Sequence, residues 1–185
     1  GFRIQAGNNM LRSERFDDIY FSPEDGVAES RYVFLQGNGL PGRFQSRDRF
    51  AIAETGFGTG LNFILAAGAF DGNALDYWSF EKYPLSVAEI ENTLTSLLIP
   101  PSAGEEGQEG CDILHRLSKR YPLRIPGFHQ IEMDNVRLVL IFDDVNEAVA
   151  QMDVKADAWF LDGFAPSKNP EMWTDTLFPN MARLS

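Results

Sequence analysis

The chain has 185 residues, of which 44% are hydrophobic, and a formal net charge of −11 at pH 7. This length predicts one domain with a core of its own, and no apolar run approaches the roughly 20 residues that cross a membrane. The acidic balance argues against broad non-specific nucleic-acid binding, which requires a basic face. One cysteine, Cys111, and two histidines without a partner pattern argue against a disulfide and a transition-metal site. Without a recognisable signal peptide, the chain is predicted to be cytoplasmic.

Basic residues are nevertheless concentrated in two short stretches. Residues 43–49 carry three arginines, and residues 116–124 carry three arginines and a lysine. Because charged residues mostly lie outside the core, the ordinary interpretation of both clusters is solvated surface. The clusters are Arg43, Arg47 and Arg49, and Arg116, Lys119, Arg120 and Arg124.

The first 49 residues are predicted to form an N-terminal extension with β structure. Residues 16–22 have the pattern of a strand, residues 23–26 carry a turn signal, and residues 28–35 hold a second apolar stretch. Because this segment precedes the nucleotide-binding unit, we expect it to cap or lid the site. A purely structural extension is the alternative.

A strand, a glycine loop and a helix come next, and the chain is organised around them. The apolar residues 50–53 end at Glu54, and an Ala/Leu-rich helical run begins at Leu61. The loop between them contains Gly56, Gly58 and Gly60. A dinucleotide loop carries its third glycine one residue later, and a phosphate-binding loop ends in Gly-Lys; neither feature is present. The spacing therefore favours a nucleoside ligand without phosphates, most commonly S-adenosylmethionine, over an unliganded glycine turn.

Acidic residues end the neighbouring predicted strands. Residues 75–80 form a strand that ends at Glu81, in the position where doubly wound folds place an acid on the ribose hydroxyls. Residues 128–133 and 136–142 are predicted to form a hairpin that leads into Asp143-Asp144, an acid placed to accept from an adenine amino group.

Local signals predict the helix bounds. Ser86 and Glu89 have the spacing of a capping box. Residues 102–110 have the composition of a loop, with a short helix after them. Asn146 is predicted to cap a helix over residues 147–152.

The last predicted strand, residues 157–161, ends at Asp162 and opens a second informative loop, which carries two prolines and has aromatic residues at both ends. Ligands in open α/β sheets bind at the carboxyl ends of strands. Asp162 is therefore predicted to share a crevice with Glu54, Glu81 and Asp144 and to act there as a base or hydrogen-bond acceptor. The alternative is a proline-shaped loop in which Asp162 only caps a turn.

Several motifs resemble, in matching order, those of one family, the methyltransferase domain of the MnmC proteins. The most specific is Phe-Leu-Asp-Gly-Phe-Ala-Pro at 160–166, with Lys-Asn-Pro at 168–170 and Met-Trp at 172–173. The others are residues 16–22, 33–35, 54–63 and 80–82. The resemblance spans nearly the whole chain and is weakest at about residues 100–125.

The resemblance implies an α/β, Rossmann-like fold of the S-adenosylmethionine-dependent methyltransferases. Residues 1–49 are then the extension or lid, and residues 50–185 are the cofactor-binding core. The family continues past this point into further strands, so the domain is expected to be C-terminally incomplete. In the family pattern a glycine precedes the adenine-side acid, whereas this chain has Asp143 there.

The resemblance also implies an activity: methylation of the 5-aminomethyl group of a tRNA wobble uridine, forming 5-methylaminomethyl-2-thiouridine. Bifunctional members carry an FAD-dependent oxidase domain, which this chain lacks. The catalytic residue is then Asp162. The implied cofactor-binding residues are Asn38, Glu54, Gly56, Phe57, Gly58, Gly60, Asn62, Glu81, Lys82 and Asp144, and the implied substrate-binding residues are Tyr20, Phe164, Pro166 and Lys168.

Three alternatives differ in substrate or in kind. The first is an S-adenosylmethionine-dependent methyltransferase acting on another amine or a small molecule, which the acidic charge favours. The second is a non-catalytic module that docks tRNA. The third is a nicotinamide enzyme, against which the misplaced third glycine counts.

Overall fold

The structure, a computed structural model, describes residues 2–4, 11–13, 26–45, 47–98, 104–162 and 174–185. The strands in these ranges are β1 (Phe2–Ile4), β2 (Leu11–Ser13), β3 (Arg49–Glu54), β4 (Ala74–Phe80), β5 (Gly127–Met133), β6 (Val136–Phe142) and β7 (Ala158–Phe160). The α-helices are α1 (Gly26–Ser30), α2 (Leu61–Ala69), α3 (Val87–Leu98), α4 (Gly104–Arg120), α5 (Val145–Gln151) and α6 (Leu177–Arg183). A π-helical turn (Arg31–Leu35) and a 3-10 turn (Gln36–Asn38) continue α1.

A five-stranded sheet in the order β5-β6-β4-β3-β7 forms the centre of the fold. Strands β6, β4, β3 and β7 run parallel, and β5 pairs antiparallel with β6. The chain builds outward from β3 through β4 to β6 and then returns to place β7 on the other side of β3. This reversal is a topological switch point, beside which open α/β sheets bind their ligands. The predicted α/β class is thus confirmed.

Helices cover both faces of the sheet, so the central strands are apolar on both sides. One core cluster joins the sheet to α2, α3 and α4 and contains Ile52 and Leu94. A second cluster joins the opposite face to α5 and α6 and contains Ile141 and Met181. Within the described ranges, no helix combines the length and apolarity needed to span a membrane.

The N-terminal segment combines a small sheet with helical turns. Strands β1 and β2 pair antiparallel, whereas the second apolar stretch, residues 28–35, is helical. Of its apolar residues, Leu35 is buried and Phe34 packs against the main core, whereas Tyr32 and Val33 are exposed. Further along, Phe44 makes edge-to-face contacts with Phe50 and Phe70, with ring centroids 5.0 and 5.1 Å apart. The predicted strand over residues 16–22 lies outside the described residues.

The prediction of a loop at 102–110 is wrong, because α4 already begins at Gly104. One glycine of this stretch, Gly110, has a packing reason. A Cβ on Gly110 would lie 3.1 Å from a Leu98 methyl group and 3.5 Å from one of Ile64. Glycine therefore lets α4 approach α2 and α3 closely, a tertiary requirement that local composition does not express.

The capping box before α3 is confirmed. The Ser86 backbone N–H donates to the Glu89 carboxylate at 2.8 Å, and the Glu89 N–H donates to the Ser86 hydroxyl at 3.3 Å. The hairpin is also confirmed, with Met133 opposite Val136 and Asp134 at φ +50° in its turn.

The prediction that Asn146 caps the next helix is wrong. Helix α5 begins two residues earlier than predicted, and Asp144 is its N-cap. The Asp144 carboxylate accepts the Asn146 backbone N–H at 2.9 Å, which satisfies a free donor of the first turn. The acid therefore has a structural role that its position after β6 does not reveal by itself.

Candidate active site

Four acidic residues lie along one edge of the sheet, as predicted. Strands β3, β4, β6 and β7 are parallel, so their carboxyl ends share an edge. Glu54 ends β3, Glu81 follows β4, Asp144 follows β6 and Asp162 follows β7. The switch point between β3 and β7 brings Glu54 and Asp162 closest together.

The glycine loop turns sharply from β3 into α2. Gly58 and Gly60 have φ angles of +54° and +84°, in the left-handed region that favours glycine. At Gly60 there is also no room for a side chain, because a Cβ would lie 2.8 Å from the Phe57 ring. That ring, predicted to contact the cofactor, is only 2% exposed and supports the loop from below. Gly56 begins the turn.

Glu81 holds the glycine loop to the end of β4. Its carboxylate accepts the Gly58 backbone N–H at 2.9 Å and the Tyr83 backbone N–H at 2.8 Å. Burial raises the pKa of Glu81, while these two hydrogen bonds favour the ionised form and oppose the rise. Glu81 thus links the end of β4 to the loop after β3, at the edge where the sequence predicts a ribose contact.

One amide joins the two acids beside the switch point. The Asn62 Nδ2 group, in the first turn of α2, donates to Glu54 Oε1 at 3.0 Å and to Asp162 Oδ2 at 2.8 Å. The Thr55 hydroxyl also donates to the Asp162 carbonyl oxygen, and the Thr55 N–H to the Phe160 carbonyl at 3.0 Å. Asp162 is therefore fixed to α2 through its side chain and to the end of β3 through its backbone.

Glu54 lies beneath this contact and is enclosed by protein. It is 1% exposed, and its second oxygen accepts from the Ser79 hydroxyl at 2.7 Å. Burial, together with the nearby charge of Asp162, raises the pKa of Glu54 well above its ordinary value, although the hydrogen bonds from Ser79 and Asn62 oppose this. Burial and Glu54 likewise raise the pKa of Tyr77.

Lys82, the residue after Glu81, forms an ion pair with Asp144. Lys82 Nζ lies 2.9 Å from Asp144 Oδ2. Partial burial alone would raise the pKa of Asp144, but hydrogen bonds from Lys82 and from Asn146 hold it below its ordinary value. The carboxylate predicted to reach adenine is thus ionised and anchored.

Asn38 connects the helical N-terminal segment to the last strand. Its side-chain amide donates to the Phe34 carbonyl at 2.9 Å and to the Trp159 carbonyl at 3.3 Å. This contact holds the proposed lid near β7. The four residues predicted to bind substrate, Tyr20, Phe164, Pro166 and Lys168, lie outside the described residues.

Two residues of this network escaped the sequence interpretation. Ser79 stands opposite Glu54 in the parallel register of β4 and β3, and Thr55 follows Glu54 directly. A serine near the carboxyl end of a mainly apolar strand was the available signal for the first. In the described part of the chain, no group of three or more His, Cys, Asp or Glu side chains is arranged to hold a metal.

Comparisons with known proteins agree with this geometry. A family model described as S-adenosyl-L-methionine-dependent methyltransferase matches residues 108–185. The crystal structure of MNMC2 from Aquifex aeolicus superposes with a TM-score of 0.72 at 23% identity, covering 100% of this chain and 56% of that one. This likeness establishes the fold.

Two curated relatives are similar in sequence, both named tRNA 5-methylaminomethyl-2-thiouridine biosynthesis bifunctional protein MnmC. The chain is 44% identical over 182 residues to that of Marinomonas sp. (strain MWYL1), covering 94% of this chain and 26% of the relative. It is 45% identical over 182 residues to that of Marinobacter nauticus, covering 91% and 27%. The chain thus spans about a quarter of the length of the curated relatives it matches.

The glycine loop, the switch-point crevice and the family match together define a Rossmann-like, S-adenosylmethionine-dependent methyltransferase. Within that class, the chain is a homologue of the MnmC proteins, and the resemblance seen in its motifs is confirmed.

Proposed function

We propose that the chain transfers the methyl group of S-adenosylmethionine to the 5-aminomethyl group of a tRNA wobble uridine, forming 5-methylaminomethyl-(2-thio)uridine. The observation that carries the proposal is the position of Asp162. Its carboxylate lies beside the switch point and is held by Asn62 at 2.8 Å. An acid at this place suits an acceptor that is a cation before reaction, as a primary amine is at neutral pH. The names of the MnmC relatives supply the acceptor.

The residues of the carboxyl edge fit S-adenosylmethionine. The loop at Gly58 and Gly60 leaves its backbone open to close approach, and the Glu81 carboxylate retains lone pairs for ribose hydroxyls. Asp144, ionised beside Lys82, is proposed to accept from the adenine amino group. The remaining proposed contacts come from Gly56, Phe57 and Asn38.

Asp162 has two tasks in the proposed reaction. When bound, S-adenosylmethionine supplies an activated methyl group with a neutral leaving group. A substrate ammonium must lose one proton before its nitrogen can attack, and the Asp162 carboxylate accepts that proton directly or through water. The same carboxylate holds the amine in line, and positioning of this kind supplies roughly 7–11 kcal/mol.

Recognition of the tRNA is assigned to two regions. Tyr20, Phe164, Pro166 and Lys168 are proposed to surround the extruded base. Lys119 and Arg120, at the exposed end of α4, are proposed to contact phosphates. The chain continues from that end of α4 to Gly127, which pairs with Phe142 at the carboxyl end of β6. This is the edge of the sheet along which the four acids lie. In the other basic cluster, at residues 43–49, Arg43 and Arg47 instead hydrogen-bond to Asp157 within the domain.

The bifunctional relatives suggest a second catalytic unit outside this chain. We propose that an FAD-dependent oxidase domain, fused or separate, generates the 5-aminomethyl group by removing a carboxymethyl group. The support is the word bifunctional in the relatives' names and the quarter of their length that the chain spans.

The test is methyl transfer to tRNA isolated from cells that leave the wobble uridine at the aminomethyl stage, followed by mass spectrometry of the nucleosides. Asp162→Asn should abolish turnover while calorimetry shows nearly unchanged S-adenosylmethionine binding. Equal turnover in Asp162→Asn would refute the role of this residue. Cofactor binding without transfer in the full chain would instead favour a docking module.

A small amine or other small molecule is the second candidate acceptor, and the net charge of −11 is the observation that favours it. The same assay, run with small primary amines in place of tRNA, separates the two. Transfer to small amines at comparable kcat/KM would favour this candidate.

A further inference from the structure

Glu54 does not have the surroundings of a ligand-contacting carboxylate. It is 1% exposed, and each of its oxygens accepts a hydrogen bond from the protein, one from Asn62 at 3.0 Å and one from Ser79 at 2.7 Å. An ionised carboxylate enclosed in this way needs a cation nearby, and no ion pair of Glu54 occurs among the described residues. The surroundings therefore favour the neutral acid.

The side-chain amide of Asn62 bridges Glu54 and Asp162 through two hydrogen bonds. The Nδ2 group has two N–H bonds, and both are used, one on each acid. Asn62 is 3% exposed, so its side chain is fixed by packing as well as by these bonds. The direction of one acid is thus determined by the position of the other, although they are more than 100 residues apart in sequence.

The two acids differ in their access to solvent and substrate. Glu54 is enclosed, whereas Asp162 is only half-buried at the mouth of the crevice. Two carboxylates that share one donor repel when both are ionised. The enclosed acid is therefore the one that retains its proton, and the negative charge stays on the acid that faces the crevice.

We propose that Glu54 and Asn62 are positioning residues for Asp162: neutral Glu54 anchors Asn62, and Asn62 aims the ionised Asp162 carboxylate at the acceptor amine. This assignment rests on the proposed function of Asp162 and gives Glu54 and Asn62 a role other than the predicted cofactor contact. Neither residue contacts the reacting atoms. Both act through the orientation and charge of Asp162.

Two substitutions of Glu54, made in the full chain, distinguish the effect of its hydrogen bond on turnover from the effect of its charge. Glu54→Leu has a similar volume but leaves the Asn62 amide without its acceptor. We expect turnover to fall about 30-fold, which corresponds to about 2 kcal/mol and lies within the range for a buried donor left unsatisfied. Glu54→Gln retains one acceptor for Asn62 and a donor for Ser79, and we expect it to restore turnover to within about threefold. In both variants, calorimetry should give S-adenosylmethionine affinities within about threefold of the parent.

Asn62→Ala tests the bridge itself. We expect kcat to fall about 30-fold with little change in cofactor affinity. Losing a donor to the Asp162 carboxylate also favours its protonated form, so the acid limb of the kcat/KM profile should move to higher pH. A purely structural residue would not move that limb. Thermal melts of each variant establish that it is folded.

Glu89→Gln, in the capping box of α3, is the matched control for amide substitution of an acid away from the crevice, and it should leave kcat and the pH profile unchanged. Two results would overturn the proposal. One is a Glu54→Gln protein that is as impaired as Glu54→Leu and has lost cofactor affinity at least tenfold, which would mean an ionised Glu54 contacts the cofactor. The other is an Asn62→Ala protein with normal kcat and an unmoved acid limb. A fully active Asp162→Asn protein would instead refute the underlying function, so the two failures are distinguishable.

Discussion

The protonated state of Glu54 makes a prediction about stability that requires no substrate. Asn62 Nδ2 lies 3.0 Å from Glu54 Oε1 and 2.8 Å from Asp162 Oδ2, so these two oxygens are no more than about 6 Å apart. At an effective dielectric constant of about 20, two full charges at about 6 Å repel by about 3 kcal/mol. Burial disfavours the ionised form of Glu54 further.

The sign of the pH dependence follows from where the proton is bound. The pKa of Glu54 is raised in the folded protein, so above the ordinary glutamate pKa the folded state holds a proton that the unfolded state has lost. The free energy of unfolding should therefore fall by about 1.4 kcal/mol per pH unit until pH reaches the folded-state pKa. Glu54→Gln has no proton to lose, so its stability relative to the parent should rise with pH between about pH 5.5 and 7.5, by at most about 1.4 kcal/mol per pH unit.

The assay is urea denaturation of both proteins across this pH range, with the free energy of unfolding extrapolated to water. Glu89→Gln is the control, and its stability relative to the parent should stay constant across this range. Hydrogen bonds from Ser86 lower the pKa of Glu89, so the stability it contributes is present above the ordinary glutamate pKa and is lost as pH falls through the folded-state pKa. A Glu54→Gln difference that does not change with pH would refute the reasoning, because Glu54 would then be ionised in the folded protein.

Three further predictions concern the loop, its support and the basic end of α4. Gly60→Ala should reduce the free energy of unfolding by roughly 2–4 kcal/mol, from left-handed strain and overpacking, as measured by denaturation; a loss under about 0.5 kcal/mol would contradict the strained turn. Glu81→Ala should weaken S-adenosylmethionine binding at least about tenfold in calorimetry, because two backbone N–H groups lose their acceptor, and unchanged affinity would count against its support of the loop. The double variant Lys119→Glu/Arg120→Glu should raise the KM for tRNA about tenfold and reduce its salt dependence, whereas Arg49→Glu, at the amino end of β3, should not; equal effects would mean that only net charge matters.

The helices and strands were predictable where local pattern and tertiary packing agree. The buried strand, the positive-φ glycines and the helical run at Leu61 are all local requirements, and the structure has them where the sequence places them. The start of α4 was missed because Gly110 satisfies a close contact with Leu98, which depends on a neighbouring helix. The cap of α5 was misassigned to Asn146 because Asp144 was interpreted only as a ligand-binding acid.

The sequence by itself determined that four acids follow strands, that a glycine loop without a phosphate-binding cation lies between β3 and α2, and that the motifs are those of MnmC proteins. Parallel strands oblige such acids to share one edge, so a common crevice could be expected. Only the tertiary structure decided which acids interact. The pairing of β7 beside β3 brings Asp162 to Asn62 and Glu54, and the burial of Glu54 makes it the acid that keeps its proton. Strand order and burial arise from the packing of the whole sheet, which no local stretch of sequence encodes.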